Sequence, residues 1–120
     1  SCNQEAPDLS KKERDPRLIG AWTYIENRTE EILPEDKAID FRSDGSCTGF
    51  NYPGGKRLFY TEEDYRLFIF VYGDWPKLNN RIYNRFYVFE GDKLHTWAGE
   101  SDMLARRYKI GRTYTKTPQP

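Results

Sequence analysis

The chain has 120 residues, the size of a single ordinary domain, with one core. Nineteen basic side chains balance nineteen acidic ones, so no long-range field draws it to nucleic acid, and no apolar run reaches the length of a membrane span. The 16% aromatic share (nine Tyr, seven Phe, three Trp) supplies large surfaces to bury, which argues against disorder, and suits a pleated sheet better than helices.

Residues 1–16 are charged, carry Pro7 and Pro16, and show no apolar period; they read as a tether, with the folded domain spanning 17–116 and a frayed tail at 117–120. Leu18 to Ile25 reads as a first strand with Leu18, Trp22 and Tyr24 on one face. After a polar connection, Ile39 and Phe41 alternate with Asp40 and Arg42, a period of two. Asp44-Gly45 then predicts a hairpin into a return strand from Cys47 to Tyr52. Pro53-Gly54-Gly55 marks another turn, and Leu58–Tyr60 a short strand that Thr61-Glu62-Glu63-Asp64 interrupts.

Tyr65 to Tyr72 is apolar on both faces, which predicts a strand covered on both sides or bordering a cavity. A loop carrying Trp75 leads into Arg81–Glu90, where Ile82, Phe86 and Val88 share one face and Tyr83, Arg85, Tyr87 and Phe89 the other. Either face could point inward. The second stripe is either outer cross-strand pairing, with Arg stacked on Tyr, or the wall of a polar-aromatic pocket. Gly91-Asp92 turns the chain into Lys93–Ala98. Leu104–Ile110 and a short Arg112–Lys116 segment complete the prediction: an all-β, antiparallel up-and-down meander of about eight strands with little helix.

Two cysteines stand in different settings. Cys47 falls in a predicted strand, as a small buried residue. Cys2 lies next to the start, after a small residue and before a polar tether. That junction is similar to the cleavage site of a bacterial lipoprotein, which implies an exported, already processed chain held at the cell envelope by lipid on Cys2. A free thiol, or a disulfide between Cys2 and Cys47, are the alternatives.

Gly20-Ala21-Trp22, Phe41-Arg42-Ser43-Asp44-Gly45, Gly91-Asp92-Lys93-Leu94 and Arg106-Arg107-Tyr108-Lys109 occur in that order. Together they resemble the lipocalin-like (calycin-type) domains of Bacteroides-type lipoproteins. The resemblance implies a lipocalin-like barrel in which Trp22, following Gly20, closes one end under a cation from Arg106 or Arg107. The chain departs from full lipocalins in its length and in lacking their C-terminal helix.

No catalytic set can be assembled from these residues. His95 is the sole histidine and lacks a metal-ligand pair or a nucleophile beside it; no cofactor and no metal are expected. Glu62, Glu63 and Asp64 read as a solvated turn. The expected function is binding of a small apolar or amphipathic ligand by a monomer. Counting Leu58–Tyr60 as the fourth strand places the Trp75 loop at the mouth, opposite Trp22, with Tyr72 and Tyr83 on the same rim as ligand contacts. The alternative is a filled barrel whose loops recognise a protein or a glycan.

Overall fold

The computed structural model describes residues 8–25, 37–50, 56–73 and 81–118. Eight strands run in chain order: β1 (Gly20–Ile25), β2 (Ala38–Phe41), β3 (Cys47–Thr48), β4 (Lys56–Glu62), β5 (Arg66–Tyr72), β6 (Arg81–Glu90), β7 (Lys93–Trp97) and β8 (Arg112–Lys116). A short helix, α1 (Glu100–Leu104), separates β7 from β8, and a 3-10 turn at Pro16–Leu18 precedes β1. All pairings are antiparallel and the order across the sheet is β3-β2-β1-β8-β7-β6-β5-β4. At the seam the Phe59 N–H donates to the Gly45 carbonyl at 2.9 Å and Ser46 bridges Leu58. The sheet is therefore a nearly closed up-and-down barrel, which leaves little strand edge exposed.

Alternation decides which side chains enter the barrel. Trp22, Ile39, Phe41, Phe59, Leu67, Ile69, Tyr87, Leu94 and Tyr114 form one buried cluster, each 3% exposed or less. Burying each of these large side chains is worth about 1.5–3 kcal/mol, which is ample reason for the register to hold. On β5 the pattern is strict: Leu67, Ile69 and Val71 point in, while Phe68, Phe70 and Tyr72 point out and are half-buried.

Two turns are chemically distinct. In the β2–β3 hairpin, Asp44 accepts from the Ser46 N–H at 2.9 Å and from its hydroxyl at 2.7 Å, while Gly45 takes φ +95°. That is the Asp-Gly geometry expected from the sequence. Between β4 and β5 both central residues, Glu63 (φ +58°) and Asp64 (φ +62°), are left-handed, a primed turn made without glycine. Here Thr61 and Glu62 extend the strand instead of breaking it, so β4 is seven residues long where the sequence suggested Leu58–Tyr60.

The expected strand over Leu104–Ile110 is not there. Gly99 starts α1, Glu100 and Asp102 complement its N-terminal dipole, and Met103 buries itself against β6 and β7. The chain then turns through 105–111, with Trp97 Nε1 donating to the Arg107 carbonyl at 2.9 Å. The return strand Cys47–Tyr52 is shorter too. It stops at Thr48, because Gly49 (φ +94°) and Phe50 (φ +51°) turn left-handed and fold the Phe50 ring into the core, 5.9 Å from Phe41.

Candidate functional site: the barrel interior

The interior divides into a plugged end and an open half. At the plugged end the Pro16–Leu18 turn lies under the start of β1. Asp15 caps that turn and is 5% exposed. Its carboxylate accepts the Tyr87 hydroxyl at 2.8 Å and pairs with Arg17 at 2.6 Å, while the Asp15 N–H donates to Thr61 Oγ1 at 2.9 Å. Burial alone would push the Asp15 carboxyl up, but the hydrogen bonds from Arg17 and Tyr87 outweigh it and hold it below the ordinary carboxylate value. Burial, reinforced by that same carboxylate, raises the Tyr87 phenol above its usual value. The Arg17 guanidinium lies 4.4 Å from the centre of the Phe89 ring.

Trp22 is part of this plug. Its Nε1 donates to the Leu18 carbonyl at 2.9 Å, and the ring is 3% exposed. The cation above it is Lys116 of β8, with Nζ 4.9 Å from the ring centre and donating to the Ile19 carbonyl. Arg106 and Arg107 lie elsewhere. Arg106 binds the Met103 carbonyl at 2.6 Å and Arg107 pairs with Asp102 at 2.7 Å, beside α1. The cause is the missing 104–110 strand: the last strand is β8, so the cation facing Trp22 comes from its end. Gly20 adopts φ +130°, and a Cβ there would run into the Lys116 ammonium, so this glycine admits both the backbone turn and the cation.

In the opposite half the side chains no longer fill the space. A cavity of about 230 Å³ opens among Phe50, Arg85, Thr96, Ile110, Arg112 and Tyr114. The register explains the grouping. Thr96 on β7 lies directly opposite Arg112 on β8 and Tyr87 on β6, so Arg85 sits one diagonal step away on Thr96's other flank. Tyr114 supplies a wall from β8, and the left-handed Gly49-Phe50 turn sends the Phe50 ring in from the seam.

The stripe Tyr83, Arg85, Tyr87 and Phe89 is thus the inward face of β6, with Ile82 outward and 51% exposed. Tyr83 packs against the core, across from Ile69. Tyr72 does not join it: it points outward, its ring 6.5 Å from that of Phe70. The two tyrosines expected on one rim therefore face opposite sides of the sheet. Trp75 and Cys2 lie outside the described residues, as does Tyr52. With β4 a true strand, Tyr72 and Arg81, which flank the Trp75 segment, end β5 and start β6 at the side away from the plug.

The remaining candidates have structural partners. Cys47 is a free, buried thiol, which burial pushes up to about 12. His95 is buried on the outside of β7, its Nδ1 2.8 Å from Thr113 Oγ1 and its ring 4.6 Å from that of Tyr108. Burial lowers its pKa despite Glu90, whose carboxylate lies 3.4 Å from Nε2. Among the described residues no group of three or more His, Cys, Asp or Glu side chains is placed to hold a metal ion. Sequence reasoning had Arg85 in a pocket stripe as one of two alternatives but missed Arg112 and Thr96. Their meeting depends on the β7–β8 register, which no turn motif in the sequence announces.

Comparison with known proteins gives no match: no family model, no curated protein and no solved structure corresponds to the chain.

Proposed function

We propose that this is a lipocalin-like binding protein of the cell envelope, monomeric and tethered by lipid on Cys2, that holds one small amphipathic molecule in the open half of its barrel. The cavity beside Thr96 carries the reading. It is concave and brings Phe50 and Tyr114 together with Arg85, Thr96 and Arg112, a lining that is more polar than apolar and suits a small molecule with both kinds of group. Its size narrows the ligand. At about 230 Å³ it has the room of roughly eight waters, each taking about 30 Å³. A compact ligand fits this space; a long acyl chain does not.

A second reading, a filled barrel that recognises a macromolecule, draws on the outer face of β4–β6. There Leu58, Phe70 and Ile82 are cross-strand neighbours that point away from the core. Native mass spectrometry of protein isolated from its own host separates the two. Ligand binding predicts a discrete added mass that disappears in Thr96→Phe, which fills the cavity. Bare protein in both cases would overturn it and favour the second reading.

A further inference from the structure

Leu104, Ile110 and Ile82 are the large apolar side chains left exposed among the described residues, and the first two bracket one loop. Leu104 is 68% and Ile110 53% exposed, and between them Ala105, Arg106, Arg107 and Lys109 also face solvent. The charge of this stretch has one sign. From Met103 to Pro120 the chain carries five cations and no acid, although its basic and acidic totals are equal. Two acids meet the loop from outside it: Asp102 pairs with Arg107 at 2.7 Å, and Glu90 accepts the Tyr108 hydroxyl at 2.9 Å. Arg106 bonds a neutral group, the Met103 carbonyl, so its charge stays in place, and Lys109 adds another.

The barrel holds this loop in shape. Trp97 Nε1 donates to the Arg107 carbonyl at 2.9 Å, and the Tyr108 bond to Glu90 fixes its middle to β6. Arg106 takes φ +53° just after α1, a position that glycine usually fills, so an arginine is kept where a side chain is conformationally costly. A surface fixed in advance binds without the cost of ordering it.

The position of the loop selects what it meets. Glu13 bridges Thr61, so the residues before it run past Glu62 toward the turn at Glu63 and Asp64. Asp64 and Tyr65 also border a recess of about 570 Å³ whose other edge carries Arg17, Leu104 and Arg106. The loop therefore shares a side of the barrel with the N-terminal segment. Cys2 precedes Asp8 by six residues, a reach of at most about 20 Å. Exposed aliphatic tips among cations are the composition of a segment lying in a membrane interface, where the tips enter the headgroup boundary and the cations meet phosphates. A nucleic acid would meet the cations and give the two apolar tips nothing to enter.

We infer that the 104–110 loop is a membrane contact, with Leu104 and Ile110 entering the surface of an anionic bilayer and Arg106, Arg107 and Lys109 facing its phosphates. This builds on the envelope reading above, which supplies the bilayer, and adds a second point of attachment that orients the barrel.

Sedimentation of the full chain carrying Cys2→Ser with phospholipid vesicles tests the inference apart from the lipid anchor, which detergent partition of the wild type decides on its own. Vesicles of equal parts phosphatidylglycerol and phosphatidylcholine are expected to bind at least about tenfold more tightly than phosphatidylcholine alone. Lys109→Gln and Arg106→Gln should each weaken binding about fivefold, and Leu104→Ser and Ile110→Ser at least about threefold. Ile82→Ser, on the outer face of β6, should change nothing. Circular dichroism establishes that each variant is folded. Equal binding to the two kinds of vesicle, or none to either, would overturn the inference. So would anionic binding that weakens with the cations yet ignores Leu104 and Ile110, which would point to a soluble acidic partner instead.

Discussion

Asp15→Ala is expected to cost the fold about 3–5 kcal/mol, although the residue precedes the first strand and belongs to a stretch that reads as a tether. Three losses compose that figure. The hydrogen bond from the Tyr87 hydroxyl, 2.8 Å from the carboxylate, has a charged acceptor and is worth about 1.5–3 kcal/mol. Without it a hydroxyl on a side chain that is 0% exposed keeps only the Thr61 side chain as a partner and loses its acceptor, which adds about 1 kcal/mol. The Arg17 pair adds at most about 1 kcal/mol, because Arg17 is 53% exposed and its charge is well screened. At this chain length roughly 4 °C of Tm accompanies each kcal/mol, so the variant should melt roughly 12–20 °C below wild type.

The assay is urea denaturation at pH 7 of wild type, Asp15→Ala, Tyr87→Phe and the double variant. Tyr87→Phe alone should cost about 1.5–3 kcal/mol, and the double variant should fall short of the sum by about 1–2 kcal/mol, since the two residues share one bond. The acid limb provides a second check. The folded-state carboxyl is held below its unfolded value of about 3.9, so its contribution is complete above that pH and is lost as pH falls through the folded value. Asp15→Asn should therefore flatten the fall in stability below about pH 4. A loss under about 1 kcal/mol in Asp15→Ala, or strict additivity with Tyr87→Phe, would refute the view that residues 15–18 plug the barrel.

Three further outcomes are expected, two from the structure and one from the Cys2 junction in the sequence. In a Cys2→Ser background, burial of Cys47, whose thiol is pushed up to about 12, should make its labelling by a disulfide reagent at pH 8 at least about a hundredfold slower in the folded protein than in urea. Gly111→Ala should cost about 1–3 kcal/mol in the same urea titration, because a Cβ there would stand 2.5 Å from Trp97 Nε1 and 2.7 Å from the Thr96 carbonyl. In the native host, full-length protein should partition into detergent and Cys2→Ala should remain in the aqueous phase; wild type found in the aqueous phase would refute lipid anchoring.

The sequence discloses strands where a period of two is enforced by burial, and misses elements that depend on partners far away in the chain. Arg81–Glu90 was legible to the residue because its alternation is long and Gly91-Asp92 ends it. Asp44-Gly45 fixed a hairpin for the same local reason. Leu104–Ile110 misled because its apolar residues suggested a strand, while Leu104 and Ile110 are in fact 68% and 53% exposed around a helix end and turns. Trp22 was expected at one end of the barrel only through the resemblance to lipocalin-like domains, and it is buried there. Its cation was not legible, since Lys116 reaches it only through the β1–β8 pairing. Tyr65–Tyr72 looked apolar on both faces, and only the structure separates Ile69 and Val71 inside from Phe70 and Tyr72 outside.

The site was half legible. Arg85 stood in a stripe with three aromatics, which marks a wall of mixed polarity but does not say which way it faces. Arg112 and Thr96 come together with it only once β7 and β8 are in register, and Phe50 enters only because Gly49 turns the chain left-handed.

The central claim is that ligand enters the barrel and stops beside Thr96. Returning the ligand that co-purifies from the native host to stripped protein, followed in the amide proton–nitrogen spectrum, tests it most directly, since it reports where binding occurs. The account predicts saturable shifts concentrated at Arg85, Thr96, Arg112 and Tyr114, with Leu58, Phe70 and Ile82 on the outer face unmoved. Shifts confined to that outer face, with the four interior residues silent, would contradict it.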